Sequence, residues 1–201
     1  IIIGRQGAGK GTQCLRLSRH YVVPHISTGE MLRASVREGT ELGRMAKQVI
    51  ESGQLVGDDI MVGLVRDRLA QDDARNRGYI LDGFPRTVNQ AEALDEITES
   101  APINVVIDLD VPRDLVVARI SARRVCRDCG TNYTVTGRER RPWTCDVCGG
   151  DVVQRDDDSE DAVNRRLDLY ESQTAPLLEF YGSAGRLVIV DGTASPDVVF
   201  G

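Results

Sequence analysis

The stretch Gly4–Thr12, GRQGAGKGT, decides how the rest of the chain is read. Glycines at positions 4, 7 and 9 stand ahead of Lys10, and Ile1 to Ile3 precede them as the tail of a buried strand. After Lys10 the segment GTQCLRLSRH places Cys14, Leu15 and Leu17 at helical spacing. A glycine-rich turn between strand and helix lets backbone N–H groups converge on an anion, and the helix N-terminus adds partial positive charge. A lysine closing such a loop reaches the terminal phosphates. The strict pattern has Ser or Thr directly after Lys, whereas here Gly11 intervenes before Thr12.

Outward from this loop the chain alternates between strand and helix signals. HISTGEML reads as a short strand and a helix start, with Ser27 and Glu30 spaced as a capping box. Gly39 closes that helix, Thr40 is a candidate N-cap for the next, and Gly53 its stop. A further helix is expected from about Asp59 to about Gln71. GYILDGF is a short apolar run ending in an acid, TVNQAEALDEI is helical, and INVVIDLDV is a strand. PRDLVVARISAR and SEDAVNRRLDLYESQ read as helices, the second kinked at Pro176. RLVIVDG is a last strand, and SPDVVFG the opening of a helix. This rhythm predicts an α/β fold, a parallel sheet of about five strands covered on both faces by helices. Asp82, at the end of one strand, faces the crevice where ligands of such sheets sit, which makes it a candidate for placing magnesium.

Residues from about 124 to 154 break the rhythm. They are turn-rich, and they carry Cys126-x-x-Cys129 and, after fifteen intervening residues, Cys145-x-x-Cys148. Two such knuckles predict a tetrahedral Zn2+ site. About thirty residues cannot bury a core of their own, so the metal is expected to be structural and to staple a rigid flap. Trp143 is expected beside the knuckles, and Cys14 as a small buried hydrophobe on the first helix.

Composition narrows the function classes. A formal charge of −6 argues against nucleic acid as a partner. No apolar run is long enough for a bilayer, so no membrane role is expected. Paired cysteines without a disulfide pattern suit the cytoplasm. Lysine occurs only at 10 and 47, while arginine supplies the other 23 positive charges, so most arginines must be solvated surface groups. His20 and His25 are expected at the surface or behind the site.

GRQGAGKGT, ISTGEMLR, LDGFPRT, RRVC and QRDDDSEDAVNRR occur in this order, and with them the chain resembles the bacterial adenylate kinases of the long-lid type. The resemblance covers nearly the whole chain, and DGFPR with the phosphate loop is specific to nucleoside monophosphate kinases. It implies a P-loop NTPase-like core of residues 1–27, 58–123 and 156–201, an AMP-binding helical insert of 28–57 and a zinc lid of 124–155. It implies magnesium-dependent transfer from ATP to AMP, giving two ADP; a monomer is expected, since such an enzyme must open and close around two nucleotides. By resemblance, ATP meets Gly7, Ala8, Gly9, Lys10, Gly11, Thr12, Arg119, Arg123, Asn132, Tyr133 and Ala194. AMP meets Thr28, Arg33, Gln54, Leu55, Val56, Gly83, Arg86 and Gln90, with Arg155 and Arg166 bridging the two phosphate chains. Lys10, Asp82, Arg86, Arg123, Arg155 and Arg166 would carry the chemistry, and Asp157 and Asp158 match lid-hinge acids.

Two positions depart from the pattern. Gln6 stands where the family usually has Pro, and Ala194 where some relatives carry a longer side chain near adenine. Arg124, Arg138, Arg140 and Arg141 lie outside the matching motifs. Two other readings stay open: a kinase for UMP, CMP or GMP, or using GTP, and a non-catalytic nucleotide sensor or zinc-ribbon nucleic-acid binder.

Overall fold

The computed structural model describes residues 1–52, 54–135 and 143–201. The expected helix stop at Gly53 and the arginines at 138, 140 and 141 lie outside the described residues. Strand β1 (Ile2–Ile3) leads through the glycine loop into α1 (Lys10–Tyr21), followed by β2 (His25–Ser27). A helical hairpin comes next, α2 (Thr28–Glu38) and α3 (Glu41–Glu51), then α4 (Asp58–Leu69) and α5 (Asp72–Arg77). The chain continues through β3 (Ile80–Asp82), α6 (Val88–Ile97), β4 (Val106–Asp110) and α7 (Arg113–Ala122). Four short strands follow: β5 (Arg123–Cys126), β6 (Asn132–Thr134), β7 (Trp143–Thr144) and β8 (Asp151–Val153). A single 3-10 turn at Asp156–Asp158 leads into α8 (Glu160–Leu169), α9 (Pro176–Ser183), β9 (Leu187–Asp191) and α10 (Pro196–Phe200).

The expected parallel sheet is present, with strand order β2-β3-β1-β4-β9. Ile2 pairs with Asp82 on one side and Ile107 on the other, so β1 sits at the centre between β3 and β4. The chain therefore leaves β1 and β3 side by side at the same edge, the place where open α/β sheets bind ligands. Apolar side chains from both faces fill the core, including Ile3, Ile26, Val65, Leu81, Phe84, Val106 and Tyr181. A smaller cluster of Ala8, Leu109, Val116, Ile120 and Leu167 seats the phosphate loop against α7 and α8.

Local chemistry explains the element ends. Gly39 ends α2 in the left-handed region at φ 66°, and the Thr40 hydroxyl accepts from Gly43 N at 3.1 Å to cap α3. A Cβ on Gly43 would fall 2.0 Å from Ser35 O, so only glycine lets the two hairpin helices approach this closely. Ser27 does hold the N-cap position of α2, but its side chain makes no capping bond, which corrects the capping-box expectation. It is still the last residue of β2, paired with Asp82, and the sheet governs its geometry. The helix expected over 59–71 is α4, two residues shorter at its end, and α5 after it was not foreseen. The expected break at Pro176 takes the form of a π-turn over Tyr170–Thr174, closed by Ala175 N donating to Tyr170 O at 2.8 Å. Pro176 then opens α9, where its missing N–H costs nothing.

Candidate active site

A cleft of about 680 Å3 runs along the C-terminal edge of the sheet, and every nucleotide-directed residue named from the sequence lines it. At one end lies the phosphate loop. The N–H groups at the start of α1, Lys10, Gly11 and Thr12, have no partner within the helix, as first-turn donors never do. Gly7 has φ 83°, and a Cβ there would sit 2.7 Å from Ile120 Cγ1, so the loop can fold tightly only with glycine at that place. Lys10 curls back to donate to Gly4 O at 2.8 Å and Arg5 O at 3.0 Å. Burial lowers its pKa, with Arg86 and Arg123 adding to the effect and Asp82 opposing it.

Asp82 stands under this loop, nearly buried, with His25 Nε2 3.4 Å from its Oδ2. Burial pushes its carboxyl up, but His25, Lys10 and Arg86 outweigh that and hold it below the ordinary value, hence ionised. One ionised carboxylate at the cleft floor fits magnesium, which keeps several waters and takes few protein oxygens. His25 thus sits behind the site, and His20 is exposed against Tyr21 and Phe200.

The other end of the cleft is built by α2, the segment before α4 and the turn after β3. Arg86 Nε donates to Gly83 O at 2.9 Å, and Thr28 Oγ1 donates to the same carbonyl at 2.9 Å. Gln90 is held at both ends of its amide: its Oε1 accepts from Arg86 N at 2.8 Å and its Nε2 donates to Asp58 Oδ1 at 2.6 Å. Gln54, Leu55 and Val56 form the wall between the hairpin and α4.

Between the two ends the guanidinium groups converge. Arg166 pairs with Asp157 at 2.8 Å and donates to Ile50 O at 2.9 Å, and Arg33 stands 4.0 Å from the same carboxylate. Arg123 grips Asp158 with two donors, one of them Nε at 2.9 Å. Arg155 donates to Asn132 Oδ1 at 3.1 Å. Burial brings Arg86 down to about 10, with Arg166 beside it, and burial does the same to Arg155, with Arg33 and Arg123 beside it. Guanidiniums that depress one another form a positive excess suited to a polyanion such as a phosphate chain. Arg119 differs: it donates to Ala8 O, Gly192 O and Thr193 O at 3.2, 3.0 and 3.0 Å, tying the phosphate loop to the loop carrying Ala194. Arg124 spends a donor on Ser121 O.

Strands β5 to β8 form a separate antiparallel sheet, order β6-β5-β8-β7. Each cysteine pair closes a matching turn, with Gly130 N donating to Cys126 O at 3.1 Å and Gly149 N to Cys145 O at 2.8 Å. All four sulfurs lie within 4.8 Å of one another, with Cys126 to Cys148 at 3.4 Å and Cys129 to Cys145 at 3.5 Å. Tetrahedral zinc with bonds of about 2.3 Å sets its sulfurs about 3.8 Å apart, so this donor set fits the ion. Tyr133 O–H lies 3.1 Å from Cys145 Sγ, helps bring that thiol down to about 6, and also meets Asp146. Trp143 packs on the cluster as expected.

Sequence reasoning missed two partnerships. Asp58, which locks Gln90, reads in the sequence only as an acid in the first turn of a helix. Gln6, noted as a departure, donates to Asp158 Oδ1 at 3.1 Å and so joins the phosphate loop to the partner of Arg123.

A P-loop and a helical hairpin facing one another across a cleft lined with shared arginines is the arrangement of a nucleoside monophosphate kinase. The sequence matches the adenylate kinase family over residues 2–186. It is 49% identical over 203 residues to the adenylate kinase of Methanosarcina mazei, covering 100% of this chain and 94% of that one. Against the adenylate kinase of Moorella thermoacetica it is also 49% identical over 203 residues, covering 99% and 93%. Against that of Clostridium perfringens the identity is 47%, covering 100% and 94%. The chain belongs to the adenylate kinase family.

Proposed function

We propose that this chain catalyses reversible transfer of the terminal phosphoryl group of ATP to AMP, giving two ADP. The observation that carries the reading is one cleft with Lys10 at one end, Arg86 and Gln90 at the other, and Arg123, Arg155 and Arg166 between. The phosphate loop and Lys10 would hold the ATP phosphates, and Arg33 and Arg86 the AMP phosphate. The attacking AMP oxygen is ionised at neutral pH, so no general base is needed. Catalysis is positioning plus stabilisation of charge on the equatorial oxygens, a task for planar guanidiniums. Magnesium bound with ATP supplies further charge neutralisation, and Asp82 would hold it.

We assign residues 28–57 to the AMP insert, 124–155 to a lid and the remainder to the core. Cys126, Cys129, Cys145 and Cys148 would hold a structural Zn2+, giving the lid rigidity but no reacting atom. A closed lid excludes water that would otherwise accept the phosphoryl group. The reduced cysteines suit a cytoplasmic enzyme, and a cleft that opens and closes within one chain suits a monomer. Among the described residues no helix is long and apolar enough to cross a membrane.

The test is ADP formation with Mg·ATP and, separately, AMP, GMP, UMP or CMP. Rapid turnover with AMP alone is expected. Transfer to another monophosphate would move the acceptor, and none at all would leave a nucleotide sensor.

A further inference from the structure

Beneath the phosphate loop, three donors of different chemistry meet that phosphoryl transfer does not need as a set. Cys14 is on the inner face of α1 with no exposed surface, His25 opens β2 and Asp82 closes β3. Adjacent parallel strands fix the last two, with His25 level with Ile80 and Ser27 with Asp82. The sulfur, an imidazole nitrogen and a carboxylate oxygen all lie within 4.8 Å of one another, and His25 Nε2 is 3.4 Å from Asp82 Oδ2.

We propose that Cys14, His25 and Asp82 form a second metal site, separate from the four lid cysteines, for a borderline-soft divalent ion such as Zn2+ or Co2+. Thiolate, imidazole and carboxylate together select such ions, whereas hard magnesium uses the carboxylate alone. Ligand atoms around tetrahedral zinc stand about 3.3–3.8 Å apart, so closing the group requires shifts of about 1 Å. Three protein ligands leave a fourth position for water. Binding displaces the Cys14 thiol proton to solvent. The dication, thiolate and carboxylate then sum to zero charge, against −1 before binding, so the ion adds one positive charge beside Lys10 and weakens its attraction to Asp82.

Two dications sharing Asp82 would stand close together and repel one another. A soft metal in this group therefore withdraws Asp82 from magnesium, and Cys14 makes the enzyme sensitive to zinc. That consequence rests on the proposed role of Asp82, but the site itself does not, and it is tested by binding rather than turnover.

The full chain, purified with its lid zinc in place, is titrated with Co2+ while thiolate-to-cobalt absorption is followed and lid zinc is counted by elemental analysis. The native chain is expected to take one cobalt beyond the lid zinc, with a thiolate band. Cys14→Ala and His25→Gln should each keep the lid zinc and bind that cobalt more than about tenfold more weakly, since loss of even an outer-shell partner costs that much. His25→Gln, at a partly exposed position, keeps the test decisive should Cys14→Ala fold poorly. Absence of the extra cobalt in the native chain, or unchanged affinity in either variant, overturns the site.

Discussion

In the core, strands and helices bury an apolar cluster that runs from Ile3 through Val65 to Tyr181, and the charged cleft is laid over it. In the small antiparallel sheet, the proposed lid, the buried cluster is Cys126, Cys145 and Val152 under Tyr133 and Trp143. The first region holds its shape by burial and can concentrate like charges on top. The second is too small for burial to hold it, and the proposed zinc would supply what its core lacks. Chemistry and stability are therefore separable in this molecule, region by region.

Lys10→Ala should separate them most sharply. It removes charge from the terminal phosphates and should lower kcat by about 10²–10³-fold. The melting temperature should change little, because the desolvated charge is lost together with its bonds to Gly4 O and Arg5 O; near-native turnover would show that the loop acts through backbone alone. Arg86→Ala should come next, raising KM for AMP by roughly 10–100-fold, the worth of one charge-assisted hydrogen bond, with a smaller change for ATP. Equal weakening of both nucleotides would merge two ends of the cleft that the geometry keeps apart. Cys145→Ala should release the metal and melt the lid ahead of the core, with turnover down about tenfold. A single unchanged melting transition with full metal content would erase the contrast between the regions. Gln6→Ala should have the smallest effect, raising KM for ATP about fivefold by loss of one hydrogen bond of about 1 kcal/mol. Gln6→Glu, which sets a carboxylate against Asp158, should be worse than alanine, and equality of the two would mean the contact is incidental.

What the sequence revealed was local or periodic. The loop from Gly4 to Thr12, the strand ending in Asp82 and the cysteine knuckles each advertise themselves within a few residues. So do the arginines at 33, 86, 123, 155 and 166, but only because each sits inside a motif; Arg124 carries the same charge and binds a neighbouring carbonyl. What stayed hidden were partners distant in the chain. Gln90 and Asp58 are 32 residues apart, and Gln6 and Asp158 are 152 apart. Neither composition nor spacing records such pairings, which exist only once the sheet has placed its loops side by side. Ser27 shows the converse: a good capping pattern lost to the sheet because the residue belongs to β2 before it belongs to α2.

Arg119 carries a consequence for anyone who would alter this molecule. Its guanidinium is shared among carbonyls of the phosphate loop and of the turn at Gly192 and Thr193. The glycine loop and the turn before Ala194 are thus tied together by one side chain. A transplanted turn from a kinase of different base preference would reposition the phosphate cradle along with the base. On the proposed assignment, base selectivity and phosphate registration would be one inherited trait, to be exchanged together or left alone.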